Sequence, residues 1–591
     1  GLDDKKCGLY LAESSIPGAG LGLYVGVDVE EGDLISYPDI CINLLDMEHT
    51  TVASEYSWSS SQIGSEFEAM SVDPLCSGLG MLTNCHSGLI NAENAETKYD
   101  GGGLHRSTHA GAGAITYYHD YKTRASKDIP AGSELFISYG EDWFLSRTND
   151  LGDVPLEEDF IFADHVADAL KSYKDSYGHK TTSDANDQVM ELVRNILDLE
   201  ATSRVLQILP DTFDDVEKVI ENGSARYSLP ESIRSLEWLE TNGHCVDNMK
   251  VGPSTIPAAG RGAFATRHIS EGSVISVSPL LLFHRKHFVM EYGDGSQNQQ
   301  LATNYCLGHP QSTLLFFPYA PLVGLINHDS KSPNAEIRWF KKSGEDNSDM
   351  FERKFSANPN TSKKVDFMIE YVATRDMKPG EEIFMDYGQE WEHAWKEHEE
   401  HWIPQEDAAD YVTHSSFMSV NSDKPVRTEE EQEESPYPEN ILTACFYDYF
   451  PYEGYIDTYE IDENGITTVW EEWDEDEPDY LFFAHQYLRP CSILTRKKRT
   501  NGDDVYSALM LNPPDTTSYP EMMVPISEHR VVSGIPRKAI TFVEMPYDTD
   551  QHLKSAFRHP IGIPDSMFPF SWKNAITHEQ ITDLDMREMF D

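Results

Sequence analysis

Positive charge is what this sequence has least of. Lysine and arginine total 46 against 101 aspartate plus glutamate, a formal net charge of −55 over 591 residues. So acidic a surface repels a phosphate backbone, which excludes direct nucleic-acid binding. The acidity leaves two readings open: a basic protein or peptide partner, or charge that only keeps the chain soluble. Long apolar runs are also missing, and none approaches the roughly 20 residues a membrane span needs. Cysteine is sparse, eight residues with no CxxC or CxC pair, so the common zinc modules are excluded and no metal site is expected. The cysteines fall in three blocks that can each pair internally: Cys7, Cys41, Cys76 and Cys85, then Cys245 and Cys306, then Cys445 and Cys491. Together with the sequons Asn222-Gly-Ser and Asn360-Thr-Ser and an opening Gly1, they fit a secretory-pathway lumen. Buried free thiols and chance sequons would fit nucleus or cytoplasm instead, and a trimmed chain would also open on glycine.

What is present is enough apolar matter, 39% of residues with 29 tyrosines, for three or four folded domains. An internal repeat organises the chain. Ile16-Pro-Gly-Ala-Gly-Leu-Gly-Leu-Tyr24 returns as Ile256-Pro-Ala-Ala-Gly-Arg-Gly-Ala-Phe264, and Glu30-Glu-Gly-Asp-Leu-Ile35 as Ser270-Glu-Gly-Ser-Val-Ile275. Cys76-Ser-Gly returns as Cys306-Leu-Gly, and Asn84 to Asn91-Ala as Asn327 to Asn334-Ala. The run Ile129-Pro-Ala-Gly-Ser-Glu-Leu-Phe-Ile-Ser-Tyr-Gly-Glu-Asp-Trp143 returns as Met377-Lys-Pro-Gly-Glu-Glu-Ile-Phe-Met-Asp-Tyr-Gly-Gln-Glu-Trp391. Five landmarks in one order define two copies, near 5–150 and 245–400.

Both copies read as short strands between Gly, Pro and Asn turns, among them Leu34 to Tyr37, Ile115 to Tyr118, Glu370 to Ala373 and Ile383 to Met385. Residues 151–244 carry helical spacing at Asp159 to Tyr173 and Asp187 to Leu209 and are expected to form a helical connector. Residues 401–438, with the run Glu429-Glu-Glu-Gln-Glu-Glu434, read as a solvated acidic linker. Residues 439–591 read as a β-rich module, with strands at Ile441 to Phe450, Tyr480 to Phe483, Val505 to Leu511 and Ala539 to Val543, and a Pro-rich aromatic tail from Tyr547 to Trp572 that wraps onto something.

The stretch Val323-Gly-Leu-Ile-Asn-His-Asp-Ser-Lys-Ser-Pro-Asn-Ala335 with the later Asp386-Tyr387-Gly388 resembles the SET-domain family of protein lysine methyltransferases. There an Asn-His segment and a late Tyr-Gly cross in a pseudoknot to form the active site. The resemblance covers about half the chain. It implies an α+β, mostly β architecture: two SET-like β folds joined by the helical connector, plus the C-terminal module. It also implies S-adenosylmethionine as cofactor and a lysine of a basic, lysine-rich protein or peptide as substrate. Tyr387 is implied as the catalytic residue, hydrogen-bonding the amine so that its lone pair faces the methyl group. Gly260, Arg261, Gly262, Asn327, His328 and Trp391 are implied cofactor contacts, with the missing Cβ atoms of Gly260 and Gly262 letting backbone approach the ligand. Tyr305 is a candidate wall of the lysine channel, although an aromatic in a β core is more often packing.

The first copy keeps Gly20, Gly22, Asn84 and Tyr139. Asn84-Cys85-His86 nevertheless stands where the second has Asn327-His328-Asp329, and a one-residue shift in a strand sends a side chain to the other face. The second copy is therefore expected to be the active one. If the copies superpose, Cys7 pairs with Cys76 and Cys245 with Cys306, leaving Cys41 with Cys85 and Cys445 with Cys491. The competing function is a non-catalytic docking or assembly protein built on degenerate copies of this fold.

Overall fold

The computed structural model describes residues 6–45, 56–57, 60–63, 69–94, 104–115, 120–177, 183–199, 203–291, 295–341, 367–404, 406, 408–412, 414–447, 459–461, 467–473, 488–510, 529–544 and 553–573. The fold is mixed α+β and rich in sheet. Among the described residues no helix is long and apolar enough to cross a membrane.

The largest sheet has eight strands, in the order Asn327–His328, Phe384–Met385, Ala335–Trp339, Met368–Ala373, Val274–His284, Leu314–Pro318, Leu307–Gly308 and Ile561–Gly562. Ala335–Trp339 alternates buried and exposed residues, as a strand with one wet face must. Leu314–Pro318 is buried at every position, which its unbroken apolar sequence allows. The last strand in the order is the distant C-terminal segment, laid parallel on Leu307–Gly308.

Residues 5–150 and 245–400 use the same local connections. The hairpin Leu9–Glu13 with Leu21–Val25 corresponds to Met249–Pro253 with Arg261–Ala265. Bridges Val29 to Ile129 and Tyr24 to Glu134 correspond to Ile269 to Met377 and Phe264 to Glu382. The parallel bridge Asn84 to Phe136 matches the parallel pairing of Asn327 with Phe384. Side chains repeat as well: Asn91 donates to the Glu134 carbonyl at 2.8 Å and accepts from the Phe136 amide at 2.9 Å, while Asn334 bonds Glu382 and Phe384 in the same way at 2.8 and 2.7 Å. The two regions share one hydrophobic core, in which Leu11, Ile42 and Leu75 join Ala263, Phe283 and Phe316. Between them the helices Glu157–Tyr177 and Ser183–Leu199 bury Phe160, Ala163 and Leu197 against Val205 and Ile208.

Several expectations are corrected. Leu34 to Tyr37 is no strand: Leu34 makes one isolated bridge to Arg124 and is 56% exposed, and Pro38 follows at once. The strands expected at 116–118 and 480–483 lie outside the described residues. The acidic linker is structured. Glu429–Glu434 is a helix with a capping box between Thr428 and Glu431, and neighbouring Phe417 and Val426 are buried in the core of the C-terminal module. That module is a seven-stranded sheet of Tyr459–Ile461, Thr467–Glu472, His529–Pro536, Asp504–Met510, Leu488–Lys498, Ile441–Phe446 and Ile540–Glu544. The tail leaves it: Trp572 packs among Phe316, Trp339 and Phe367 of the second region.

The cysteine pairing also differs from expectation, except that Cys445 is bonded to Cys491. Cys7 is bonded to Cys245, because His244–Cys245 joins the first hairpin as a third strand and sets the two Cα atoms 5.8 Å apart. Cys41 is bonded to Cys76, its direct partner across Asp39–Leu45 and Ala69–Cys76. Cys85 and Cys306 are free.

Candidate active site

The site is assembled where Asn327–His328 runs parallel to Phe384–Met385. The chain enters it through Leu322, which holds φ at 62°, a left-handed conformation that costs a non-glycine residue about 1–2 kcal/mol. Its amide donates at 2.7 Å to the buried carboxylate of Asp39, so the first region secures the strained entry to the second.

Asn327 faces inward. Its amide nitrogen donates to the Arg261 carbonyl at 2.9 Å and lies 3.2 Å from both the Ser254 hydroxyl and Glu382 Oε1. Glu382 is the centre of this network: buried, it accepts from Ser254 Oγ at 2.7 Å, the Thr255 amide at 2.6 Å and the Thr255 hydroxyl at 2.5 Å. This changes the account of the glycines. A Cβ on Gly262 would meet Glu382 Oε1 at 2.1 Å, so here the missing side chain admits a protein carboxylate. Gly260 differs: its φ is +73°, in the left-handed region that glycine enters without the steric cost of a side chain.

His328 Nδ1 accepts from the Tyr387 amide at 2.9 Å, which requires the neutral ring with its proton on Nε2. Burial pulls its pKa down, against the opposing pull of Asp386 and Glu392. Its ring packs 5.0 Å from Trp391 and 5.2 Å from Tyr387. Trp391 stands in the first turn of the helix Gln389–His401, which starts directly after Gly388, where φ is +93°.

Tyr387 is held at three atoms: its amide by His328, its carbonyl by the Gly562 amide at 2.8 Å, and its hydroxyl by the Ile326 carbonyl. Burial keeps the hydroxyl protonated far above its ordinary range, and neighbouring Tyr305 pushes it further. Tyr371, also fully buried, is raised in the same way with Tyr387 beside it. The cluster is thus a set of neutral phenols, able to donate and accept hydrogen bonds but not to act as a base near neutral pH. Glu370 pairs with Arg338, and Asp386 accepts from the Gly388 amide at 2.8 Å, so both carboxylates are taken up by the scaffold.

The first region repeats the scaffold. Asn84 bonds Leu21, Ser14 and Glu134 at 2.9, 3.1 and 3.2 Å, Tyr139 donates to the Thr83 carbonyl at 2.9 Å, and a Cβ on Gly22 would strike Glu134 at 2.2 Å. The Cys85 thiol takes the Tyr139 amide where His328 takes that of Tyr387, and burial pushes its pKa up to about 11. His86 is turned away, between Phe136 at 5.9 Å and Phe160 at 5.1 Å, with its pKa pulled to about 4 by burial. The repeat places Thr123 at the position of Tyr371, but the expected match of Cys76 with Cys306 fails: Leu75 pairs with Ile42 as Phe316 pairs with Leu282, while Tyr305 lies in the separate turn Leu301–Tyr305. Trp143 retains contact with Tyr139, 5.0 Å away.

Glu382, Ser254, Thr255 and Tyr371 escaped the sequence reading. The first three had a signal, since Ser14-Ser15 with Glu134 recurs as Ser254-Thr255 with Glu382. Tyr371 had none.

Residues 260–388 match the family model for the SET domain. Similar solved structures include a candidate histone methyltransferase of Plasmodium falciparum, 18% identical over 24% of this chain and 96% of that one, with a TM-score of 0.16. A polycomb repressive complex 2 chain of Chaetomium thermophilum is 20% identical over 24% of this chain and 15% of that one, TM-score 0.16. The autoinhibited ctPRC2 bound to S-adenosylmethionine is 18% identical over 26% of this chain and 17% of that one, TM-score 0.17. Likeness at this level carries no argument about activity or partner. No curated protein matches the chain.

Proposed function

Starting from a SET domain at residues 260–388, we propose that the second region is a protein lysine N-methyltransferase acting on a lysine-rich protein or peptide. The observation that carries this reading is the buried, protonated Tyr387 hydroxyl between Tyr305 and Tyr371, where the Asn327–His328 and Phe384–Met385 strands meet. S-adenosylmethionine, when bound, supplies an electrophilic methyl group on sulfonium sulfur. The left-handed backbone at Gly260, the neutral His328 segment and the Trp391 ring are the groups that would hold it; Asn327 supports them from behind, its amide being committed to Glu382 and Arg261. The acceptor must be a neutral amine, and a dry tyrosine-lined channel favours that form over the ammonium, whose reference pKa is about 10.4. Tyr387 and Tyr305 then hydrogen-bond the amine and align its lone pair for in-line displacement. With the donor bound, the C–N bond would form as the C–S bond broke, and the methylated ammonium would release its proton to water.

The net charge of −55 supports a polycationic substrate. We read residues 5–150 as a second copy of the fold that has lost the chemistry, since Cys85 and Thr123 replace an imidazole and a phenol. The test is calorimetric titration of S-adenosylmethionine with a methyl-transfer assay on a lysine-rich peptide. Tyr387→Phe is expected to lower transfer at least about 100-fold while cofactor affinity stays within twofold. A wild-type chain that binds no S-adenosylmethionine, with or without peptide, sinks the reading in favour of a docking protein.

A further inference from the structure

Three stretches far apart in sequence meet on one amide side chain. Asn304 Nδ2 donates to the Ala114 carbonyl of the first region at 2.8 Å and to the Phe557 carbonyl of the C-terminal segment at 2.9 Å, and its Oδ1 accepts from the His559 amide at 2.9 Å. Arg558 reinforces the junction, donating to the Gly113 carbonyl at 2.6 Å and the Gln299 carbonyl at 2.8 Å. Phe557 lies 5.6 Å from the Trp391 ring and 5.0 Å from Trp395, and His398 Nε2 bonds the Ala110 carbonyl at 2.8 Å.

This junction leads straight to Tyr387. Past His559 the segment becomes the two-residue strand Ile561–Gly562, whose first amide bonds Cys306 and whose second bonds the Tyr387 carbonyl, both at 2.8 Å. Approach is so close that a Cβ on Gly562 would meet that carbonyl oxygen at 2.7 Å. So short a parallel pairing has little stability of its own. Its place beside Tyr387 is fixed by the anchors on either side, Asn304 with Arg558 before it and the buried Trp572 after it.

We propose that Asn304 is a positioning residue that braces residues 110–114 and the C-terminal segment together, so that the first region sets the pose of Tyr387 without doing chemistry itself. The proposal rests on the methyltransferase reading. It gives the catalytically depleted first region a task, since its loop supplies the carbonyls of Ala110, Gly113 and Ala114 that the brace grips.

Asn304→Asp keeps the size of the side chain, removes both donated bonds and sets a carboxylate against two carbonyl oxygens. Amide hydrogen exchange on the full chain is expected to speed up at 110–114 and 385–388 together. kcat is expected to fall about 10- to 100-fold, the scale of a small misplacement of a catalytic group, with S-adenosylmethionine affinity within twofold of wild type. Gly562→Ala, pressing directly on Tyr387, should lower kcat in the same way without disturbing 110–114. Faster exchange confined to 557–562, or an unchanged kcat in Asn304→Asp, overturns the proposal. A wild-type chain without transferase activity would sink the functional reading instead, and the exchange pattern would still decide whether the brace holds Tyr387.

Discussion

The two regions are built on one hydrogen-bond plan and diverge in the side chains set beside its tyrosine. Glu134 and Glu382 each gather a pair of hydroxyl residues and an asparagine, and each forbids a side chain at the facing glycine, Gly22 or Gly262. Tyr139 and Tyr387 each donate their hydroxyl to the carbonyl just before that asparagine. Around this common frame, the second region has His328 and Tyr371 where the first has Cys85 and Thr123, and it adds Tyr305 from the turn Leu301–Tyr305. The difference teaches that the Asn–Glu–Gly constellation maintains the fold in both regions, while the imidazole and the extra phenols belong to the second alone.

The largest break in the comparison comes from stripping the second region of the two phenols beside Tyr387. Tyr305→Leu combined with Tyr371→Thr leaves Tyr387 alone in its pocket and is expected to lower methyl transfer about 100- to 1,000-fold, or roughly 3–4 kcal/mol of barrier. Titration should show cofactor affinity little changed, because neither phenol is part of the Gly260 to His328 surface. Activity within a few fold of wild type would remove the tyrosine cluster as the mark of the active region.

The scaffold half is sharpened by Glu134→Ala beside Glu382→Ala. Either change strands several buried donors at once, so each should lower unfolding free energy by about 3 kcal/mol, read as a shift in urea midpoint. Comparable losses in the two variants support a shared structural role. A loss confined to one would mean that only that region depends on the network.

The landmark order was legible because each motif is local and occurs twice: Gly260, Asn327 and Tyr387 in the second region and Gly20, Asn84 and Tyr139 in the first are brought to matching places. Glu382 was passed over because a glutamate after Pro379-Gly380-Glu381 reads as a wet turn residue; only the pairing of Ser254-Thr255 with it in space reveals a buried acceptor. The helix at Glu429–Glu434 was hidden by its own charge, although Thr428 and Glu431 spell a capping box. The Cys7–Cys245 bond joins residues 238 apart and the contact of Gly562 with Tyr387 joins residues 175 apart, and no local pattern announces such partners.

The smallest effect separates the two histidines. His86 is buried and neutral, with its pKa near 4 against an ordinary 6.5, and its Nδ1 has no hydrogen-bond partner. Its folded pKa is depressed, so the unfolded chain binds the proton first: no penalty exists above pH 6.5, and stability declines as pH falls from there towards 4. Between pH 6.5 and 5 the loss from this residue should be about 2 kcal/mol, at 1.36 kcal/mol per unit. His86→Phe, filling the same space between Phe136 and Phe160, should flatten that part of the profile. The slope would not vanish, because His284 is also pulled to about 4 by burial and titrates over the same window. An unchanged profile in His86→Phe would show that the imidazole reaches water in the folded chain and has not simply been turned into the core.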